Sequence, residues 1–378
     1  MVSPSEFITR LQGLGIDFYA GVPDSLLKSL CAYIQDNIPA NDNIIAANEG
    51  GAIALAAGHY LATGRPGAVY MQNSGIGNAV NPLLSLTDSD VYGIPLLLII
   101  GWRGEPGVKD EPQHVKQGKT TLPLLETMGI EYQVLDTDTS TALTQLEHAA
   151  AYMVETSRPY ALVVRKDTFE TYKLASTSEA PEGVISGREE AIASALGSIP
   201  ENAVIVSTTG MISRELFETR EARGEDHSRD FLTVGSMGHA SQIALGIALA
   251  RPKRPVYCFD GDGATIMHMG SLGINGQLAP ANLVHIVFNN GAHDSVGGQP
   301  TIGFRLDLPA IAKATGYRNV FTTTELGSMS NILEEAAKLQ GPTFIEVKVR
   351  KGARKDLGRP TTTPADNKQA LMKNLADD

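Results

Sequence analysis

Val256-Tyr257-Cys258-Phe259-Asp260-Gly261-Asp262-Gly263, followed after Ala264 to Phe288 by Asn289-Asn290-Gly291-Ala292, decides how this chain folds. An apolar run opens a buried strand and breaks at an aspartate bracketed by glycines. The stretch after it suits a helix, and a second apolar run, Leu283 to Phe288, ends in two asparagines. Strand, helix and strand at this spacing form a βαβ unit with parallel strands. Open sheets of this kind bind ligands at the carboxyl ends of their strands. Asp262, a carboxamide from Asn289-Asn290 and a loop carbonyl therefore belong to one edge. Oxygen donors of this type suit Mg²⁺, which completes its octahedron with phosphate oxygens and water. An aspartate alone would repel a phosphate, whereas a cation between them reverses the sign.

The first half echoes this pattern. Arg65-Pro66 leads into Ala68-Val69-Tyr70-Met71, and Arg254-Pro255, 189 positions later, leads into Val256 to Phe259. Glycine-rich turns follow both, Asn73-Ser74-Gly75-Ile76-Gly77 and Asp260 to Gly263. Apolar strands come next, Ile94 to Ile100 and Leu283 to Phe288. Each half closes on a strand after a proline, Tyr160 to Val164 and Thr343 to Val347. The expectation is α/β architecture: two doubly wound parallel-sheet domains, residues 1–175 and 188–378, joined by a linker over 176–187 rich in small residues, Pro and Gly. The helices Gly50 to Gly58 and Ala240 to Ala250 are nearly all small residues. They suit either a tight interface or an ordinary buried helix.

Bulk properties narrow the function. At 378 residues the chain has length for two cores. A formal charge of −11 without a basic run argues against a nucleic-acid partner. Cys31 and Cys258 are far apart in apolar surroundings, which suits buried thiols and neither a zinc site nor a disulfide framework. Met1 to Arg10 lacks a signal-peptide pattern, and the longest apolar run is too short for a membrane span. The expected location is cytoplasmic, with no membrane partner.

Gly261-Asp262-Gly263 with Asn289-Asn290 at this spacing resembles the signature of thiamine-diphosphate enzymes. Two further stretches resemble the same family: Gly235-Ser236-Met237-Gly238, and Ala46-Ala47-Asn48-Glu49-Gly50-Gly51-Ala52. The resemblance implies a pyrimidine-binding domain first, a diphosphate-binding domain second and no middle domain. It implies thiamine diphosphate and Mg²⁺ as cofactors. Glu49 would bond the aminopyrimidine ring, and Met237 would wedge beneath the bent cofactor. Gly235, Ser236, Gly261, Gly263 and Ala264 would line it, while Asp262, Asn290 and Ala292 would hold the metal and the diphosphate. Because Glu49 and Asp262 fall in different domains, the resemblance implies at least a homodimer with sites at the subunit interface.

Among these enzymes the chain looks most like the phosphonopyruvate decarboxylases, over essentially its whole length. The likeness is carried by Gly21-Val22-Pro23-Asp24-Ser25, Asp110-Glu111-Pro112-Gln113-His114, Asn290 to Gln299 and Arg354 to Pro364. It implies decarboxylation of the 2-oxo acid 3-phosphonopyruvate to phosphonoacetaldehyde and CO₂; the sulfopyruvate decarboxylases share much of the pattern. A phosphonate dianion on an acidic protein needs local cations. Candidates are Arg103, His114, Lys116 and Lys119 in the loop after Ile94 to Ile100, and Arg354, Lys355 and Arg359 in the tail, with Ser25 and Asp294 as further substrate contacts. His114 and His293 are candidate proton donors. Two other classes remain open. A Rossmann-type NAD-dependent oxidoreductase would use the Gly-rich strand ends, although neither GxG carries the third glycine. A non-catalytic relative would bind the cofactor alone.

Overall fold

A computed structural model describes residues 1–176, 180–184 and 186–376. The chain divides into two compact units, Met1–Thr177 and Ser178–Asp378. Of the expected linker, residues 177–179 and 185 lie outside the described residues.

The first unit holds six parallel strands: β1 (Tyr19–Gly21), β2 (Asn43–Ile45), β3 (Gly67–Gln72), β4 (Leu96–Gly101), β5 (Glu131–Val134) and β6 (Tyr160–Val164). Their order across the sheet is β2-β1-β3-β4-β6-β5. The second unit repeats the plan with β7 (Val204–Ser207), β8 (Asp230–Leu232), β9 (Val256–Gly261), β10 (Leu283–Asn289), β11 (Asn319–Thr323) and β12 (Thr343–Lys348), in the order β8-β7-β9-β10-β12-β11. The two orders are the same permutation, so the sequence echo is a topological one. Both sheets are α/β and doubly wound, and no further sheet lies between the two units among the described residues.

Alternation along the strands explains the layering, because successive side chains point to opposite faces. In β3, Ala68 and Tyr70 join one core layer while Val69 and Met71 join the other. In β9, Tyr257 and Phe259 face one layer, and Val256 and Cys258 the other. Strands buried on both faces read as continuous apolar runs, and β4 is buried along its whole length. Burying each large apolar side chain contributes about 1.5–3 kcal/mol. Cys31 and Cys258 are buried free thiols, as expected.

The two glycine-rich turns are the N-terminal ends of helices. Asn73–Gly75 forms a single 3₁₀ turn running into the helix Ile76–Pro82, and Gly261 is the N-cap of the helix Asp262–Met267. No helix among the described residues is long and apolar enough to cross a membrane.

Candidate active site

In the first unit, β1, β3 and β4 deliver their ends to the edge where the strand order reverses. Asp24, just beyond β1, is fully buried; Gln72 Nε2 at the end of β3 donates to its Oδ1 at 2.6 Å, and the Leu26 N–H donates to its Oδ2 at 2.9 Å. Burial raises the Asp24 pKa. Beyond β4, Arg103 forks onto Asp110, with Nε at 2.8 Å and Nη2 at 2.5 Å, while Nη1 donates to Ser25 Oγ at 2.8 Å. Burial opposes ionisation of Asp110, but hydrogen bonds from Arg103, Glu111 N–H and Gly104 N–H hold it well below the usual carboxylate range. Ser25 and Arg103, expected together at the substrate, are thus in direct contact. Beside them lies a cleft of about 150 Å³ whose lining includes Leu26, Trp102, Lys109 and Lys166.

Glu49 opens the helix Glu49–Thr63, behind the N-cap Asn48, whose side chain accepts from Gly51 N–H at 2.9 Å. A first-turn carboxylate suits the helix dipole, yet Glu49 is only 5% exposed. The small residues around it explain how. A Cβ at Gly50 would sit 2.8 Å from the Asn78 carbonyl oxygen, and one at Gly75 would lie 2.6 Å from both Glu49 Cγ and Cδ. The helix and the Asn73–Gly77 segment close onto the carboxylate, and Asn78 Nδ2 donates to its Oε2 at 2.7 Å.

In the second unit, Asp262 follows directly on β9 and Asn290 on β10, and the two strands pair in parallel up to Gly261 opposite Phe288. Asp262 is 2% exposed. Burial pushes its pKa up to about 6, against hydrogen bonds from Thr301 Oγ1 and the Asn290 backbone N–H. A buried carboxylate raised this way is short of positive charge, which a divalent cation would supply. The two asparagines divide their work. Asn289 holds the edge together, donating to Glu346 at 2.7 Å and to the Gly303 carbonyl at 2.9 Å. Asn290 Oδ1 accepts from Ala292 N–H at 3.1 Å, and its Nδ2 donates to Asp294 at 2.6 Å. Met237 and His293 both close over Gly263, since a Cβ there would lie 3.4 Å from Met237 Cε and 3.2 Å from His293 Cε1. Desolvation pushes the His293 imidazole down to about 4 against the pull of Asp294, so it is neutral at pH 7. Ser236 adopts a left-handed φ of 54° in the turn that carries Met237.

Several expectations need correction. His114, Lys116 and Lys119 do not lie in a loop: they stand on the helix Pro112–Thr127, which Pro112 starts at its first position. His114 is buried there, and both lysines are exposed. Arg354 is no spare cation. It pairs with Glu189 at 3.0 Å, with Asp356 at 3.1 Å and with Glu218. Asp294 also has internal partners, accepting from Arg188 Nη1 and Gly352 N–H, each at 3.0 Å. Gln72, Asn78, Thr301, Arg188 and Glu215 were not singled out from sequence; each sits tens of residues from the group it supports.

Two family descriptions match this chain: "Thiamine pyrophosphate enzyme, N-terminal TPP binding domain" over residues 5–123, and "Thiamine pyrophosphate enzyme, C-terminal TPP binding domain" over residues 208–347. A phosphonopyruvate decarboxylase of Streptomyces viridochromogenes is 38% identical over 97% of this chain and 93% of its own length. The chain belongs to the thiamine pyrophosphate enzyme family. Within that family, a second phosphonopyruvate decarboxylase, from Streptomyces hygroscopicus, is 38% identical over 96% of this chain and 92% of its own. A sulfopyruvate decarboxylase of Methanosarcina acetivorans is 30% identical over 93% of this chain and 92% of its own. Among solved structures, benzoylformate decarboxylase from Polynucleobacter necessarius aligns over 94% of this chain and 100% of that one, at 14% identity and a TM-score of 0.39. The N-terminal match contains Ser25, Glu49, Arg103 and His114, and the C-terminal match contains Met237, Asp262, Asn290, His293 and Asp294.

Proposed function

We propose that this thiamine pyrophosphate enzyme decarboxylates 3-phosphonopyruvate to phosphonoacetaldehyde and CO₂, using thiamine diphosphate and Mg²⁺. The reaction class rests on one observation above others: a buried, cation-seeking Asp262 beside Asn290 in one unit, with a buried Glu49 in the other. The substrate rests on the 38% end-to-end likeness to two phosphonopyruvate decarboxylases against 30% to a sulfopyruvate decarboxylase.

Asp262, the Asn290 carboxamide oxygen and the Ala292 carbonyl are the assigned cation ligands, a donor set matched to Mg²⁺. When bound, thiamine diphosphate supplies the electron sink that decarboxylation needs. The chain's own residues do the rest. Glu49 Oε2 is committed to Asn78, which leaves Oε1 to share a proton with the pyrimidine ring in a dry setting. Met237, over Gly263, is the wedge. Arg103, braced by Asp110 and touching Ser25, presents a fixed cation for the phosphonate, with Lys109 and Lys166 adding charge at the same cleft. A neutral His293 is a poor standing acid at pH 7, and His114 is the other candidate donor.

The reading includes a cytoplasmic enzyme acting as at least a homodimer, with the Glu49 half-site of one protomer serving the Asp262 half-site of its partner. It is supported by relatives of Methanocaldococcus jannaschii and Methanothermobacter thermautotrophicus named sulfopyruvate decarboxylase subunit alpha and subunit beta, which match 40% and 44% of this chain. CO₂ release from phosphonopyruvate, sulfopyruvate and pyruvate, measured side by side, tests the substrate. Faster turnover of sulfopyruvate would transfer the assignment to that acid, and release from none of the three would end it.

A further inference from the structure

The geometry points to Asp294, braced by the Arg188–Glu215 pair, as the positioning residue that fixes which end of the Asn290 carboxamide faces the metal. This rests on the proposed assignment of Asn290 as a cation ligand. A carboxamide has two nearly isosteric ends, one donor and one acceptor, and only the oxygen end can bind a cation. Nothing in the shape of Asn290 chooses between them, so the neighbours must.

Asp294 makes the choice. Its Oδ2 is an acceptor, so it takes the Nδ2 end of Asn290, at 2.6 Å, and turns Oδ1 away from itself. Oδ1 then accepts one hydrogen bond, from Ala292 N–H at 3.1 Å, and a carbonyl-type oxygen has a second lone pair for the cation. Asp294 is itself pinned. Arg188 Nη1 and Gly352 N–H donate to the same Oδ2, each at 3.0 Å. Arg188 in turn is aligned by a fork onto Glu215, Nε to Oε2 at 2.7 Å and Nη2 to Oε1 at 2.9 Å. Arg188 and Glu215 are 4% and 1% exposed, too deep to be a surface pair. One guanidinium thus faces two carboxylates, and three donors, Asn290 Nδ2, Arg188 Nη1 and Gly352 N–H, converge on Asp294 Oδ2, which serves them all as an acceptor. The chain Glu215–Arg188–Asp294–Asn290 runs from two helices of the second unit to the ligand, in the manner of outer groups that orient metal ligands.

The test is the Mg²⁺ dependence of thiamine diphosphate binding, read by calorimetry on the full chain, with turnover measured separately. Asp294→Asn can donate as well as accept, so it releases the choice. The Mg²⁺ concentration for half-maximal cofactor binding is expected to rise about 10–100-fold. Asp294→Glu, still acceptor-only, is expected to recover part of that loss. Should Asp294→Asn fail to fold, Arg188→Lys keeps the charge and removes the fork, and is expected to shift the same concentration in the same direction. Asp262→Ala separates the layers of the argument. If it abolishes Mg²⁺-dependent binding while Asp294→Asn leaves the half-maximal concentration unchanged, Asp294 is merely structural and this inference is overturned. If Asp262→Ala itself binds cofactor with unaltered Mg²⁺ dependence, the metal site has been misplaced.

Discussion

Gly75→Ala should disable the enzyme without unfolding it. The backbone at 75 is helical, with φ of −73°, so alanine itself is not strained there. The cost is in the space Glu49 occupies: the new methyl would lie 2.6 Å from Glu49 Cγ and Cδ. Carbon atoms rest at about 3.5–4.0 Å, so the carboxylate must retreat by roughly 1 Å. Overpacking of this kind costs about 1–3 kcal/mol. Retreat also breaks the 2.7 Å bond from Asn78, leaving a buried carboxyl group poorly satisfied. A misplacement of about 1 Å at a reacting group lowers turnover on the order of 100-fold. The assay is CO₂ release from phosphonopyruvate at saturating cofactor, with thermal unfolding in parallel; a loss of about 2–12 °C is expected for a unit of this size. Gly77→Ala is the control, because nothing lies within 4 Å of a Cβ there. Turnover by Gly75→Ala within threefold of the unaltered chain would refute the crowding of Glu49 as a functional feature.

Glu49→Gln should still bind thiamine diphosphate with Mg²⁺ while turnover falls by about 10²–10⁴-fold; unchanged turnover removes Glu49 from proton transfer. Asp262 makes the metal-free protein sensitive to pH in a definite direction. Its pKa is raised from 3.8 to about 6 on folding, so the cost of its charge is absent below pH 4, grows as pH rises from 4 to 6 and is constant above. That cost is on the order of 3 kcal/mol, so urea midpoints should fall over this interval without Mg²⁺. Asp262→Asn should lack that step, and parallel profiles for the two proteins would contradict the burial argument. Arg103→Lys loses the fork onto Asp110 and should raise KM for phosphonopyruvate about tenfold or more, with cofactor binding unchanged. An unaltered KM would place the phosphonate elsewhere.

Strands buried on both faces were legible because they are continuous apolar runs: Val256 to Phe259 falls on one central strand, and Leu96 to Ile100 of the run from Ile94 on another. The three-residue strands β1, β2 and β8 were not, since so short a segment carries no period. The paired ends at Asp262 and Asn290 were visible because a βαβ unit brings residues about thirty apart to one edge. What lies across the fold was invisible: Arg188 reaches Asp294 over 106 positions and Ser25 reaches Arg103 over 78. The helix holding His114 could have been read, since Pro112 is a helix-start signal. Its charged residues drew it into the loop instead.

One matched position separates the two sheets. Asn73 is the residue directly beyond β3, and Asp262 the residue directly beyond the corresponding strand β9. Asn73 spends its amide inward, donating to the Arg103 carbonyl at 2.8 Å and to Thr121 at 2.9 Å. Asp262 at the same station carries a charge that the protein alone does not neutralise. At matched stations of two sheets with one strand order, the amide makes a self-sufficient brace and the acid a claimant on an external ion. Installing an aspartate at 73 would set its carboxylate against the Arg103 carbonyl and Thr121, so the asymmetry resides in the neighbours as much as in the letter.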